Sequence, residues 1–396
     1  MLLSFRVANH RSIRDEQELL LLPAYDRSRP AVPLAAIYGA NASGKTNLLN
    51  ALSFMRRMVR RSVWSSDDHT GRTPFRLEQG AGDQESRFGV DVLINGIRHV
   101  YGFAIDDKHV REEWLYVYPK GRRRVLFERE STGIRFGDSF RGHRSAIEDL
   151  TRPSALLLTI SGYLGLEQAR DIFTWFDRRV EHVDVPFLLE LDEFDEDHPT
   201  AALLKDEARR DSVIRLLTFA DLGISSVRTE RRQGGMLTAY FGHRTGSKDT
   251  ELPLSDESRG TQAWFHHLGS ALRALDGGHL LLIDELDASL HPLLAREFIR
   301  LFTNPETNTG GAQLIFTTHD VSLLRRHQGE EILARDEIWF TEKDLGGSTT
   351  LYPLTDFNPR DRLDWERRYL GGSVRAVPIL DRRQLEDTVK QRAVNE

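Results

Sequence analysis

The chain contains no cysteine, which excludes disulfides, thiolate metal sites and a cysteine nucleophile. That fits a reducing compartment, and the expected location is the cytoplasm. No apolar run approaches the ~18–20 residues that a membrane-crossing helix needs. The opening residues MLLSFRVANHRSIRDE lack the continuous apolar core of a signal peptide. They alternate instead, with Leu3, Phe5 and Val7 on one side, as in a strand. Basic charge is not in excess either. Lys and Arg number 54 against 60 Asp and Glu, a formal net charge of −6, so only local patches can draw the chain to nucleic acid. Internal repeats, low-complexity linkers and sustained heptads are also missing. The expectation is an intracellular chain, and its 396 residues are enough for two lobes or for one domain with a big insertion.

What is present begins with IYGANASGKTNLL, residues 37–49. Gly39 to Thr46 fit the pattern G-x-x-x-x-G-K-[ST], between an apolar run (VPLAAIY) and a segment that spaces Leu48, Leu52, Met55 and Val59 helically. This is a strand, a glycine-rich loop and a helix start. Glycines at 39 and 44 let successive N–H groups converge on phosphate oxygens, and the helix N-terminus adds partial positive charge. The loop Gly39, Ala40, Asn41, Ala42, Ser43, Gly44, Lys45, Thr46 and Asn47 is thus the candidate phosphate cradle. Lys45 is expected to reach the β- and γ-phosphates, and the Thr46 hydroxyl to reach Mg²⁺. ATP and Mg²⁺ are the expected ligands.

Three further segments belong to the same chemistry. HLLLIDELDASLHP, residues 279–292, is an apolar strand ending in adjacent carboxylates that repel unless solvated or paired. A magnesium nucleotide gives both a role, with Asp284 on the metal and Glu285 as general base. LIFTTHDVSLL, residues 314–324, brings His319 to a strand end, where doubly wound sheets place their ligands. LPLSDESRGTQ, residues 252–262, puts Ser255, Ser258 and Gly260 at a helix start, as an ordinary cap or as a second anion contact.

These four segments, in this order, resemble the ABC-type ATPases of the SMC/RecF/OLD clan, and within it the compact AAA-type core ATPases of the abortive-infection group. The resemblance rests on GANASGKTN, SDESRGT, LLIDELDASLHP and FTTH, with the tail RRYLGGSVRAVP, and covers about two-thirds of the chain. It implies a P-loop α/β fold: a mixed sheet flanked by helices, with an antiparallel β meander and an inserted helical subdomain. It also implies a homodimer or higher oligomer, with Ser258, Gly260 and Ser255 closing over the γ-phosphate in trans and Asp287 near the seam. Lys45, Glu285 and His319 would be catalytic. SDESRGT in place of SGGQ argues against transport. A Q-loop glutamine is not placed; Gln79 and Gln84 qualify by position only.

The chain reads as an N-terminal ATPase part (1–85), an antiparallel subdomain (86–140), a helical insertion (141–221), a C-terminal ATPase part (222–357) and a helical tail (358–396). Arginine clusters in MRRMVRRSV, KGRRRVLFERE and RTERRQGG are either solvated, ion-paired faces or nucleic-acid contacts, and LDEFDEDHP reads as an exposed acidic loop. No nuclease or toxin constellation follows the ATPase segments. The expectation is therefore a slow, regulated ATPase switch of an anti-phage system that controls a separate nuclease-like or toxin-like effector. The alternative is a RecF-like DNA clamp, and a scaffold with structural nucleotide comes third.

Overall fold

The computed structural model describes residues 1–64, 69–142, 144–183, 194–195, 197–220, 223–232, 235–245, 248–288, 290–326, 329–357, 365–374, 376–377 and 386. An antiparallel hairpin, β1 (Leu2–Ala8) and β2 (Gln17–Leu20), precedes β3 (Leu34–Gly39) and helix α1 (Lys45–Arg61). Next come β4 (Ser86–Ile94), β5 (Ile97–Ile105), β6 (Val110–Tyr118), β7 (Arg124–Glu130) and β8 (Gly133–Phe136). Helices α2 (Arg144–Leu150), α3 (Leu157–Tyr163) and α4 (Glu167–Arg178) lead to β9 (Val180–Val183), then α5 (Pro199–Lys205) and α6 (Glu207–Ala220). A three-stranded sheet follows: β10 (Ile224–Arg231), β11 (Leu237–Thr245) and β12 (Lys248–Pro253). The last third holds α7 (Arg259–Gly277), β13 (Leu280–Ile283), α8 (Pro292–Thr303), β14 (Gln313–Thr317), β15 (Ile338–Lys343), β16 (Thr349–Pro353) and α9 (Trp365–Leu370).

The central sheet has the order β16-β15-β3-β14-β13-β9, parallel except for β16. Its inner strands β3, β13 and β14 are buried on both faces, and the period of two divides them between two cores. On β3, Ala35 and Ile37 face one core while Leu34, Ala36 and Tyr38 face the other. On β13, Leu280 and Leu282 oppose Leu281 and Ile283 in the same way. The first core lies under α1, α3, α4 and the antiparallel sheet; the second lies under α7, α8 and the three-stranded sheet.

Helix α1 buries Leu48, Leu49, Leu52, Phe54, Met55, Met58 and Val59, and its last turn carries Arg60 and Arg61, which suit the negative end of its dipole. Truncating one of these core leucines to alanine would cost about 2–5 kcal/mol. No helix of the described residues is long and apolar enough to cross a membrane.

Several expectations change. The N-terminal hairpin and the meander form one seven-stranded sheet, because β1 pairs with β4 across most of its length. The segment read as helical contains β9, which pairs in parallel with β13 at the edge of the central sheet. Its ends, Val180 and Val183, are buried, so four residues of an apparent insertion belong to the ATPase sheet. The hairpin expected near 222–252 has three strands. Residues 191–193 and 196 of the acidic loop lie outside the described residues, as does most of the tail beyond α9.

Candidate functional site

The parallel register sets the site. Strands β3, β13, β14 and β15 all end on one edge, with Ile283 level with Phe316, Thr317 level with Ile37, and Thr341 level with Gly39. The segments past those ends meet in one cavity of about 430 Å³, lined by Asn41 to Asn47 with Glu285, His319 and Lys343.

The loop is built by close approach. A Cβ on Gly39 would lie 2.3 Å from Thr341 Oγ1, and one on Gly44 would lie 2.2 Å from Thr349 Oγ1. Gly44 also has φ 105°, a conformation other residues adopt only with strain. Hydroxyls hold the loop from beneath. Ser43 and Thr341 share a hydrogen bond of 2.7 Å, Thr349 donates to the Ser43 carbonyl at 2.8 Å, and Ser12 meets Thr349 at 2.7 Å. Asn47 donates to Ser12 at 2.7 Å, which ties the helix start to the N-terminal hairpin. Gly44 caps α1 without any side-chain hydrogen bond, so the first N–H groups of the helix stay available to a ligand.

Lys45 is buried and donates to the carbonyls of Gly39 (3.0 Å) and Ala40 (3.2 Å). Burial lowers its pKa, opposed by the charges of Glu285, Asp284 and Asp287. Burial likewise lowers the pKa of His319, and Lys45 adds to the shift while the three carboxylates oppose it. Asp284 and Glu285 are both tied to Thr317, whose hydroxyl donates to Asp284 Oδ1 at 2.5 Å and accepts from Glu285 N at 2.7 Å. Asp287 accepts from the backbone N–H of His319 at 3.2 Å through each oxygen. That bond joins the loop after β13 to the loop after β14.

The structure therefore brings the glycine-rich loop, Glu285 and His319 into one cavity, with Asp284 and Asp287 tied in behind. It does not bring Ser255, Ser258 or Gly260 there. Ser255 lies in a short 3-10 turn, and Ser258 caps α7, accepting from Thr261 N at 3.1 Å. Gln79 and Gln84 do not line the cavity either. Ser12, Thr317, Thr341, Thr349 and Lys343 were missed by motif reading. Only Lys343 left a sequence signal, a lysine ending an apolar strand in the same α/β rhythm as the others.

Most arginines of the basic clusters have intramolecular partners. Arg56 donates to the Phe176 carbonyl at 3.2 Å and Arg60 pairs with Asp177 at 2.7 Å. Arg123 pairs with Glu128 at 3.1 Å and stacks 3.8 Å from the Tyr116 ring, and Arg129 donates to the Ala155 carbonyl at 2.7 Å. Arg228 pairs with Glu251 at 2.7 Å and Glu230 at 2.9 Å. Arg61, Arg122 and Arg124 are exposed.

A phosphate cradle at the head of a helix, with paired carboxylates and a histidine at neighbouring strand ends, defines a P-loop nucleotide site. The family follows from comparison with known proteins. Residues 34–325 match the family described as "AAA domain, putative AbiEii toxin, Type IV TA system", and the chain belongs to that family of AAA ATPases. No curated protein matches it. Among solved structures it is similar to an SMC head bound to the C-winged helix domain of ScpA, at 12% identity and TM-score 0.43, covering 89% of this chain and 96% of that one. It is also similar to the SMC head of Thermotoga maritima, at 15% identity and TM-score 0.40, with 89% and 98% covered. A third is the Pyrococcus furiosus SMC head with an extended coiled coil, bound to the C-terminal domain of ScpA (14% identity, TM-score 0.37, 90% and 97% covered).

Proposed function

We propose that the chain is a dimeric, nucleotide-gated switch whose ATP cycle controls a separate nuclease-like or toxin-like effector in an anti-phage system. One observation carries the reading. Lys45, Glu285 and His319 line a single cavity, whereas Ser258 and Gly260 stand outside it in the same chain. A second copy offering its α7 start would complete the enclosure, so the γ-phosphate would hold two copies together. A ligand switches an equilibrium only through different affinities for its two states, and loss of that phosphate supplies the difference. The description of the matched family, with its toxin and type IV toxin–antitoxin terms, supports the defence setting.

In the cavity, the Lys45 ammonium would exchange its carbonyl partners for β- and γ-phosphate oxygens. A water attacking the γ-phosphorus would lose its proton to the Glu285 carboxylate as the bond to the β–γ bridging oxygen breaks, leaving ADP and phosphate. Thr46 and Asp284 would hold Mg²⁺, whose charge neutralises the phosphate oxygens during transfer. His319 would sense the γ-phosphate through its ring while its backbone stays bonded to Asp287. The DNA-clamp reading draws less support, because most of the clustered arginines already have partners within the chain.

The test measures phosphate release and sedimentation with ATP and with ADP. Lys45→Ala should abolish both nucleotide binding and ATP-dependent association. Glu285→Gln should slow hydrolysis about 10²–10⁴-fold and leave the protein associated in ATP. Wild-type turnover in Glu285→Gln, or association indifferent to nucleotide, would end the proposal. ATP-dependent binding to DNA ends or gaps without a protein partner would favour the clamp. Co-purification with the product of a neighbouring reading frame, and an effect on phage plating, check the effector role.

A further inference from the structure

Thr317 is fully buried at the end of β14, yet three consecutive residues of the neighbouring loop hang from it. Its hydroxyl donates to Asp284 Oδ1 at 2.5 Å and accepts from Glu285 N at 2.7 Å; its carbonyl accepts from Leu286 N at 3.1 Å. The middle residue, Glu285, has φ 51°, the left-handed region that a side-chain-bearing residue occupies at a cost. Nothing in glutamate prefers that conformation, so neighbouring bonds must hold it. The bond from its own N–H to the threonine hydroxyl acts on that torsion directly. The same hydroxyl ends on Asp284, so one oxygen fixes the rotation of one carboxylate and the backbone of the next.

We propose that Thr317 is a positioning residue: its hydroxyl aims Glu285 into the cavity and leaves the second Asp284 oxygen for the metal. This rests on the ATPase reading above and adds to it a residue that touches neither substrate nor metal. A hydrogen bond to a ligand carboxylate is the usual means by which a metal ligand is oriented. Here that bond is shared with the backbone of the general base. A merely structural threonine would affect folding; a positioning one affects turnover and metal affinity while nucleotide binding persists.

The experiment uses Thr317→Val, which keeps shape and burial but removes the hydroxyl, and Thr317→Ser, which restores it. Phosphate release gives kcat and KM for ATP. Electron paramagnetic resonance of Mn²⁺ with ADP gives metal affinity independently of turnover, and ADP affinity without metal reports the folded cradle. Thr317→Val should lower kcat and weaken Mn²⁺ binding, each by about 10–100-fold, with KM for ATP and metal-free ADP affinity near wild type. Thr317→Ser should recover most of both. Wild-type kcat and Mn²⁺ affinity in Thr317→Val would overturn the proposal, as would a serine variant no better than valine. If the wild-type protein itself released no phosphate, the hydrolysis reading would fail, and the Mn²⁺ affinities alone would decide the role of Thr317.

Discussion

The two helices assigned to phosphate in the proposed switch, α1 and α7, begin in different ways. Helix α1 starts at Gly44 with no side-chain cap, above a floor of hydroxyls from Ser12, Thr341 and Thr349 that fixes the loop. Its N–H groups are left open, so the site is preorganised. Helix α7 starts at Ser258, whose own hydroxyl accepts from Thr261 N, and one of its orphan donors is already satisfied. Phosphate arriving at α1 displaces nothing that belongs to the helix cap. Phosphate arriving at α7 has to share or replace the cap. The difference suits a primary site that holds nucleotide by itself and a secondary contact that forms only when a phosphate is delivered to it.

The helices also differ in what anchors them. Helix α1 is held mainly by aliphatic side chains and Phe54, with His10 touching it through Asn50 at 3.0 Å. Helix α7 carries two buried imidazoles of its own: His266 meets His198 at 2.9 Å, and His267 packs 5.5 Å from the Phe298 ring. Burial pushes His267 down to about 3, with His266 adding to the shift. Its folded pKa lies below the unfolded value, so the folded state binds fewer protons and stability falls as pH drops through about 6.5. At pH 5 the loss from His267 alone should be about 2 kcal/mol. Replacing it by leucine should therefore shrink the drop in unfolding free energy between pH 7 and pH 5, read from urea titrations, by that amount. An unchanged drop would mean that α7 is not anchored through a neutral imidazole, and the contrast between the helices would weaken.

The caps give a finer distinction. Ser258→Ala should cost about 1 kcal/mol in unfolding free energy, the usual value of an N-cap. Ser258→Asp should keep that stability, because aspartate caps as well as serine, while placing a negative charge where the partner's γ-phosphate would sit. The expected result for aspartate is wild-type melting and wild-type nucleotide binding, with ATP-dependent association lost in sedimentation. Association as strong as wild type would show that the α7 start faces no phosphate.

How much was legible in the sequence follows from the range of the interactions. The loop 39–47 could be read directly, since glycines, lysine and threonine act at fixed local spacing and the strand and helix beside them have clear periods. The Asn95-Gly96 dipeptide is equally local, a two-residue turn signal that closes β4 onto β5 between Ile94 and Ile97. β9 was missed because four residues, two of them polar, carry no strand signal; pairing with β13 makes them a strand. Thr317 was quoted within FTTH but given no role, because its value lies in partners at 284–286, more than thirty residues away. The arginine clusters stayed open between ion-paired faces and nucleic-acid contacts for a related reason: sequence shows the charge and hides the carboxylates and rings that fold onto it.

Lys343 offers the smallest and most selective test of the α1 side. It is exposed at the end of β15, two residues beyond the level of Gly39, on the flank of the P-loop strand opposite β14 and β13. In the proposed site Glu285 and His319 would approach the γ-phosphate from the β13 and β14 side, so a lysine entering from β15 is expected to meet the phosphates nearer the ribose. Such a contact is made equally with ATP, with ADP and in the transition state, and uniform binding changes KM without changing kcat. An exposed cation in open solvent contributes up to about 1 kcal/mol, and salt screens it. Lys343→Ala should therefore raise KM for ATP and Kd for ADP about two- to fivefold at low salt, with kcat unchanged, and the difference should shrink in high salt. A fall in kcat instead would move Lys343 to the γ-phosphate. The α1 site would then draw on a cation from each side of its strand.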